Sequence, residues 1–521
     1  MKRSTHLVVM TLLVFSMVLF PSGSKSQITP QARPEIKIGA LGPLAITPGT
    51  DMQSGAQMAV EEINAGAGVD VGGTAYNFKL VTRSTSDPST GIPDPTTAYT
   101  NLQTLVQTDQ VVAVLGGFRT EVVLGAVEPL INTTHTPFLG VGSTAPLITP
   151  YFYRVGPVNG STLTRNILGM YSYLHNGPLK INSTVVVRED QAWTYAITDA
   201  LVTYLPAFGL TVDNTTVSAI PVDASAADVA TALNTLTGTP QADAIISLFS
   251  APVGKLFTEQ WTATGLNDNY LLAGINVESQ RGTFYTETEG AAAGEMELES
   301  APPGVYPTNT SKTFVDAYQA EFNKYPTYTS FASYDAVYII KDAIERAAAF
   351  DSASIHAMLP STDYAGVAAE YKFTSESSAG QVASIAVPQS YKIYNNAIVH
   401  DLYTTSTYSA VGTPYAQPYF AQWLENGTKI AVYSGPGTSS LYANVTAPPY
   451  AGVYNPPTTS VPSSGTSSGT GTTTTTSTPP PQETSDTGGG SFLPGFEATM
   501  VMLVLFSGVF VQSIRRKKSK I

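Results

Sequence analysis

The chain has 521 residues, with 26 Lys and Arg against 39 Asp and Glu, a net charge of −13 and no cysteine. That length exceeds what one hydrophobic core fills, so two or more α/β units are expected. The acidity argues against a nucleic-acid surface, which needs clustered Lys and Arg, and the lack of cysteine rules out disulfides and thiolate metal sites.

The amino end carries Lys2 and Arg3, an apolar run over 7–20, and then Ser22, Gly23, Ser24 and Ser26. This three-part layout predicts a secretory signal peptide over 1–26, although an uncleaved anchor would give the same topology. From residue 35 the chain alternates short β-type runs with helical patterns. A strand is expected over 36–40. A helix follows over 51–64, with Met52, Ala56, Ala59, Val60 and Ile63 at helical spacing and Asp51 as its N-cap. A strand over 76–82, a helix over 97–108 and a strand over 111–115, ending at Gly116 and Gly117, continue the beat. It resumes at 184–187, 195–204, 244–249, 253–264 and 270–275. Strands separated by helices imply parallel sheets with right-handed crossovers, an α/β fold.

Residues 455–491 are Thr, Ser, Gly and Pro with almost no large apolar side chain, the composition of an extended stalk. Leu493, Pro494, Gly495, Phe496 and Glu497 resemble the start of the carboxyl-terminal anchors of archaeal surface proteins. The apolar stretch over 498–514 is about long enough to span a bilayer, and Arg515, Arg516, Lys517, Lys518 and Lys520 follow it as a basic tail over 515–521. Basic clusters stay in the cytoplasm, so everything between the two apolar segments is expected outside, as a single-pass protein on the extracellular face. Asn-X-Ser/Thr triplets at Asn132, Asn159, Asn182, Asn214, Asn309, Asn426 and Asn444 fall in that outer portion and predict a glycoprotein.

Several segments carry a family resemblance. Ile36-Lys-Ile-Gly-Ala-Leu-Gly-Pro-Leu44, the helix ending Ala59-Val-Glu-Glu-Ile-Asn64, and Val112-Ala-Val-Leu-Gly-Gly117 resemble the opening of the branched-chain amino-acid (Leu/Ile/Val) binding proteins, the type I periplasmic solute-binding proteins of ABC importers. Pro137-Phe-Leu-Gly-Val-Gly-Ser-Thr144, Tyr153-Arg-Val-Gly156 and Tyr334-Asp-Ala-Val-Tyr338 follow in the family's order, so the resemblance spans roughly 35–405. It implies two doubly wound parallel-sheet lobes joined by a three-strand hinge, with ligand trapped when they close. The first lobe is then expected from 35–154 and 290–372, the second from 155–289 and 373–450, although 402–450 departs from the family pattern. It also implies an ABC permease and its ATPase subunits as partners, and an amino acid or a related amide or amine as ligand.

Ligands of open α/β sheets sit beyond the carboxyl ends of strands. Four loops fit that rule. After the strand over 111–115, Thr120 could cap a helix and meet a carboxylate, Arg119 could add a bidentate contact, and Glu121 lies beside them. Each also suits an ordinary role, Thr120 as a plain cap and Arg119 facing solvent. The resemblance assigns ligand contacts to Ser143 and Thr144, which equally suit any turn. After the strand over 184–187 it places Trp193 or Tyr195 over an apolar ligand side chain, with Asp190 either pairing an ammonium or capping a helix. In the loop after 270–275 it places Glu278 near the ligand's amine. One base and up to three acids suit a zwitterion or a cation better than a dianion.

Catalysis has little support. His6, His135, His175, His356 and His400 are scattered without metal-ligand spacing, and neither a phosphate loop nor a nucleophile elbow occurs. No cofactor, metal or enzymatic activity is expected. A sensory receptor ectodomain acting through a separate signalling protein is the competing function. A structural surface-layer role is a further one, but it leaves the strand and helix beat unexplained.

Overall fold

A computed structural model describes residues 33–145, 149–156, 160–177, 179–237, 242–250, 252–373 and 418–433. The expected signal peptide, stalk, membrane anchor and basic tail lie outside these residues. Among the described residues, no helix is long and apolar enough to cross a membrane.

The strands in chain order are β1 Glu35–Gly42, β2 Val69–Val71, β3 Thr74–Ser84, β4 Val114–Phe118, β5 Phe138–Gly142, β6 Phe152–Arg154, β7 Ser183–Arg188, β8 Thr211–Asp213, β9 Ala244–Phe249, β10 Leu271–Asn276, β11 Met296–Glu299, β12 Asp363–Ala365, β13 Glu370–Lys372, β14 Tyr419–Trp423 and β15 Lys429–Tyr433. They form two main sheets, ordered β2-β3-β1-β4-β5-β6 and β15-β14-β11-β10-β9-β7-β8, with β12 and β13 pairing as a hairpin. Each main sheet is parallel at its centre, with β1 against β3 and β4, and β9 against β7 and β10. Central strands such as β9, Ala-Ile-Ile-Ser-Leu-Phe, are buried throughout, as a strand covered by helices on both faces requires. This is the α/β architecture expected from the beat, arranged as the two lobes that the family resemblance implied.

Three local readings change. The first helix begins at Thr47 rather than at Asp51, because Pro48 suits its first turn. Asp51 is therefore not an N-cap. It is 1% exposed inside the helix, paired with Lys324 and accepting from Thr327 Oγ1 at 2.8 Å. The strand expected to stop before Gly116 instead runs through it, since Gly116 pairs with Leu41 and Gly140, and Phe118 with Gly142. The second lobe's sheet also takes in β11, whose Ala273↔Met296 and Gly274↔Glu297 pairing is parallel to β10. The chain therefore returns to the first lobe after Glu299, not at residue 290. Past the departure from the family pattern, β14 and β15 complete that sheet's edge antiparallel to β11.

Two glycine positions explain close geometry. Gly72 and Gly73, at φ 58° and 90°, form the two-residue turn joining β2 to β3, a conformation that favours glycine at both places. Gly55 lies where the Thr47–Ala65 helix crosses the Tyr328–Ala347 helix. A Cβ there would fall 2.6 Å from Ser333 Oγ and closer still to the Ser330 carbonyl, so only glycine lets the two backbones approach.

Candidate functional site

The carboxyl ends of the central strands of both sheets converge on one cavity of about 100 Å³, room for a small molecule and not for a peptide. From the first lobe, β4 delivers Phe118, Arg119 and Thr120, and β5 delivers Gly142, Ser143 and Thr144. The helix Tyr328–Ala347 adds Tyr328, Phe331 and Ala332, and the β12–β13 hairpin adds Ala368, Ala369 and Tyr371. The second lobe contributes Leu163, Trp193, Ser250, Ile275, Val277 and Gln280, then Leu298, Glu299 and Ser300 from β11 and its end, with Pro418 before β14. Val155 and Gly156 line it where the chain first crosses between lobes. Apart from Arg119 and Glu299, every lining side chain among the described residues is uncharged.

Arg119 follows β4 with φ +69°, a left-handed backbone that a non-glycine residue adopts only at a cost. Its backbone N-H donates to the Gly142 carbonyl at 3.0 Å, which ties the first two ligand loops together. The side chain is 2% exposed, yet it makes no hydrogen bond among the described residues, and Nε is buried without a partner. The only carboxylate within 4 Å among the described residues is Glu121, at 3.8 Å. Thr120 Oγ1 is likewise buried, with no hydrogen-bond partner among the described residues. Glu121 does not line the cavity. Burial pushes its carboxyl up, Arg119 opposes that, and Glu189 across the cleft adds to it.

In the second loop Ser143 Oγ accepts from the Ala145 N-H at 3.0 Å, while the Ser143 and Ala145 carbonyls accept from the buried Arg154 guanidinium. Arg154 ends β6 just before the first crossing, so it couples the loop to that connection. Thr144 lines the cavity half-buried.

The third loop separates its candidates. Trp193 and Tyr195 lie two residues apart on the helix Ala192–Tyr204, about 200° around its axis, so they face opposite ways. Trp193 faces the cavity, its Nε1 donating to Glu189 Oε1 at 2.8 Å. Glu189 is fully buried and also accepts the Ser250 N-H at 2.9 Å and the Ser250 hydroxyl. Tyr195 is 43% exposed, its ring 3.6 Å under the Arg188 guanidinium and its hydroxyl donating to Asp190 Oδ1 at 2.6 Å. Neither Asp190 nor Tyr195 lines the cavity. The buried acid of this loop is Glu189, which does not line the cavity but holds Trp193 and Ser250 there, and which the sequence reading overlooked although an acid at a strand end four residues before a tryptophan was visible.

The fourth loop also aims differently from expectation. The turn Val277–Gln280 sends Val277 and Gln280 into the cavity and Glu278 away from it, with Glu278 Oε2 3.2 Å from Arg281. Glu278 is 5% exposed, its Oε1 has no hydrogen bond among the described residues, and burial raises its pKa against the opposing pull of Arg281. Gln280 Oε1 accepts from the Tyr328 N-H at 3.3 Å, a hydrogen bond from one lobe to the other. The acid that does reach the cavity, Glu299, comes from β11. Among the described residues no group of three or more His, Cys, Asp or Glu side chains is arranged to hold a metal ion.

Two sheets meeting at one cleft at their strand ends define a bilobal binding protein. Residues 35–387 match the family described as periplasmic binding protein, and the chain belongs to that family, whose members bind rather than catalyse. The fold is similar to the branched-chain amino acid transporter substrate binding protein of Streptococcus pneumoniae in complex with isoleucine, at 18% identity and a TM-score of 0.55 over 77% of this chain and 100% of that one. It is also similar to a leucine binding protein from Thermotoga maritima, at 18% identity and 0.56 over 77% and 99%. A solute binding protein of an ABC transporter from R. palustris in complex with benzoate matches at 15% identity and 0.57 over 78% and 99%. At these identities the likeness is one of fold. No curated protein sequence matches the chain significantly.

Proposed function

We propose that the chain is the substrate-binding protein of an ABC importer, held at the outer face of a membrane, which captures an amino acid or a related small amide or amine by lobe closure and delivers it to a permease. Arg119 carries the ligand class. A guanidinium 2% exposed and without a hydrogen bond to the described residues, at the edge of an apolar cavity, is costly unless something pairs with it, and a carboxylate does so bidentately. Phe118, Trp193, Tyr328 and Phe331 around it suit an apolar side chain. The isoleucine and benzoate of the two similar proteins are both carboxylates on apolar bodies, in keeping with this reading. Thr120, Ser143 and Thr144 are the proposed neighbours of the carboxylate. The apolar segments over 7–20 and 498–514 support the extracellular, single-pass placement.

The test is thermal unfolding of the full chain against amino acids, their amides and aromatic carboxylates. A ligand at 100 times its dissociation constant adds about 2.7 kcal/mol of stability. A bound ligand also closes the lobes and shrinks the scattering radius. No stabilisation by any carboxylate sinks the ligand class, and an unchanged radius on saturation sinks the clamshell.

A further inference from the structure

Glu121 sits in the turn Thr120–Val122, which belongs to the first lobe and packs across the cleft against the second-lobe helix Ala192–Tyr204. Its side chain is 26% exposed, yet both carboxylate oxygens are buried and accept no hydrogen bond among the described residues. Arg119 stands 3.8 Å away, beyond hydrogen-bonding distance. Facing it from the other lobe is Glu189, fully buried and fixed by Trp193 Nε1 and by the N-H and hydroxyl of Ser250. The other ionisable groups on the elements packed against the turn are Tyr99 on the helix Pro95–Gln103, and Tyr195, Asp199 and Tyr204 on Ala192–Tyr204. Arg188 and Asp190, just ahead of that second helix, are engaged with Tyr195. The charges that act on Glu121 are Arg119 beside it and Glu189 opposite.

A carboxylate taken out of water without a donor, with another acid facing it, is costly unless it takes up a proton. Part of that enclosure comes from the far lobe. Opening the cleft withdraws Ala192–Tyr204 and Glu189 and returns water to the carboxyl, so the cost belongs to the closed form. A ligand carboxylate on Arg119 occupies the opposing cation and deepens it.

We propose that Glu121 is a proton-dependent latch between the lobes, which close with its carboxyl protonated and reopen when the proton leaves, so that acidity favours capture and neutral pH favours release. This rests on the clamshell reading of the cleft. Burial in the closed form, with Glu189 adding to it and Arg119 opposing, pushes the carboxyl up from its ordinary 4.5, whereas water in the open form keeps it near that value. The closed form therefore holds more protons. Its ratio to the open form rises as pH falls through the closed-form value and levels off below about 4.5. Each pKa unit between the two forms is worth about tenfold in that ratio.

The experiment uses the absence of native cysteine. Ala65→Cys in the first lobe and Ala227→Cys in the second, both at exposed positions, carry a donor and an acceptor dye, and energy transfer reports the lobe separation in the ligand-free full chain from pH 8 to pH 5. Transfer is expected to rise on acidification as the closed-to-open ratio grows about tenfold or more. In this labelled background Glu121→Gln, neutral at every pH, should give the closed-form transfer already at pH 8 and lose most of the slope, while Asp190→Asn keeps it. A flat profile without Glu121→Gln overturns the proposal, whether or not that variant folds. So does a slope that persists in Glu121→Gln or in Glu121→Leu, or one lost equally in Asp190→Asn. If saturating leucine or benzoate changes the transfer and pH does not, the clamshell stands and the latch falls. If neither pH nor any carboxylate of the thermal screen moves it, the clamshell fails and takes this inference with it.

Discussion

The two walls of the cleft are built by different means. In the first lobe, Arg119, Thr120, Ser143 and Thr144 come from short loops directly after adjacent parallel strands, so sequence neighbours are also neighbours in the site. In the second lobe, Trp193, Ser250, Gln280 and Glu299 come from segments far apart in the chain, and a buried carboxylate, Glu189, joins two of them. Where the contributing loop follows a strand at once, the strand order fixes the side chain's place. Where several segments share one wall, hydrogen bonds between them decide which residue faces the ligand.

The largest expected effect tests the first wall. Arg119→Ala should weaken binding of a carboxylate ligand by about 2–5 kcal/mol in calorimetry. In the ligand-free protein, Arg119→Met should leave the thermal midpoint unchanged or raise it, because the guanidinium makes no hydrogen bond among the described residues. A large drop in that midpoint would make Arg119 a structural residue and erase the contrast between the walls.

Acidity probes both walls together. Asp335 accepts from the Val367 and Ala368 N-H groups and so holds the hairpin that brings Ala368 and Tyr371 to the cavity. Burial pushes its carboxyl to about 7, and burial also pushes Glu295, behind the second wall, to about 7. Both folded-state values lie above the unfolded ones, 3.8 and 4.5, so the folded protein holds more protons in between. The stability these groups contribute is full below about pH 4 and is lost as pH rises through 7. Thermal scans should therefore show a midpoint that climbs from pH 8 to pH 5, by the equivalent of about 2–3 kcal/mol for each group. Asp335→Asn and Glu295→Gln should each flatten the slope. A midpoint that falls over that range would show these carboxylates are ionised and paired in the folded state.

The joint in the second wall should matter less. Glu189→Gln keeps the shape but weakens the acceptor shared by Trp193 and Ser250, and should cost about 1–2 kcal/mol in ligand affinity. Indole fluorescence that no longer shifts on ligand addition would place the loss at Trp193. The smallest effects belong to residues that face away. Asp190→Asn, Tyr195→Phe and Glu278→Gln should each change affinity by under about 0.5 kcal/mol. A loss above about 2 kcal/mol from any of them would return that loop to the site.

Sequence alone was enough for what depends on local pattern. The period of apolar residues and the glycines after strands imply the α/β beat, and the rule that ligands gather at strand ends selects the loops of Arg119 and Ser143. The same rule selects the second lobe's loops but not the residue within each that faces in. Trp193 and Tyr195 are equally aromatic, and only the start of their helix at Ala192 turns one inward and the other out. Glu278 and Glu299 are both acids near the second crossing, and the turn Val277–Gln280 aims the first at Arg281. Glu299 is brought to the cleft by the pairing of β11 with β10 and β14, strands whose partners lie up to 126 positions away along the chain at Met296↔Gln422. Local sequence sets which residues form a strand or a turn, because those preferences act over a few residues. Which side of the cleft a buried charge reaches depends on strand pairings over long separations, and these are settled only when the two sheets close around the same space.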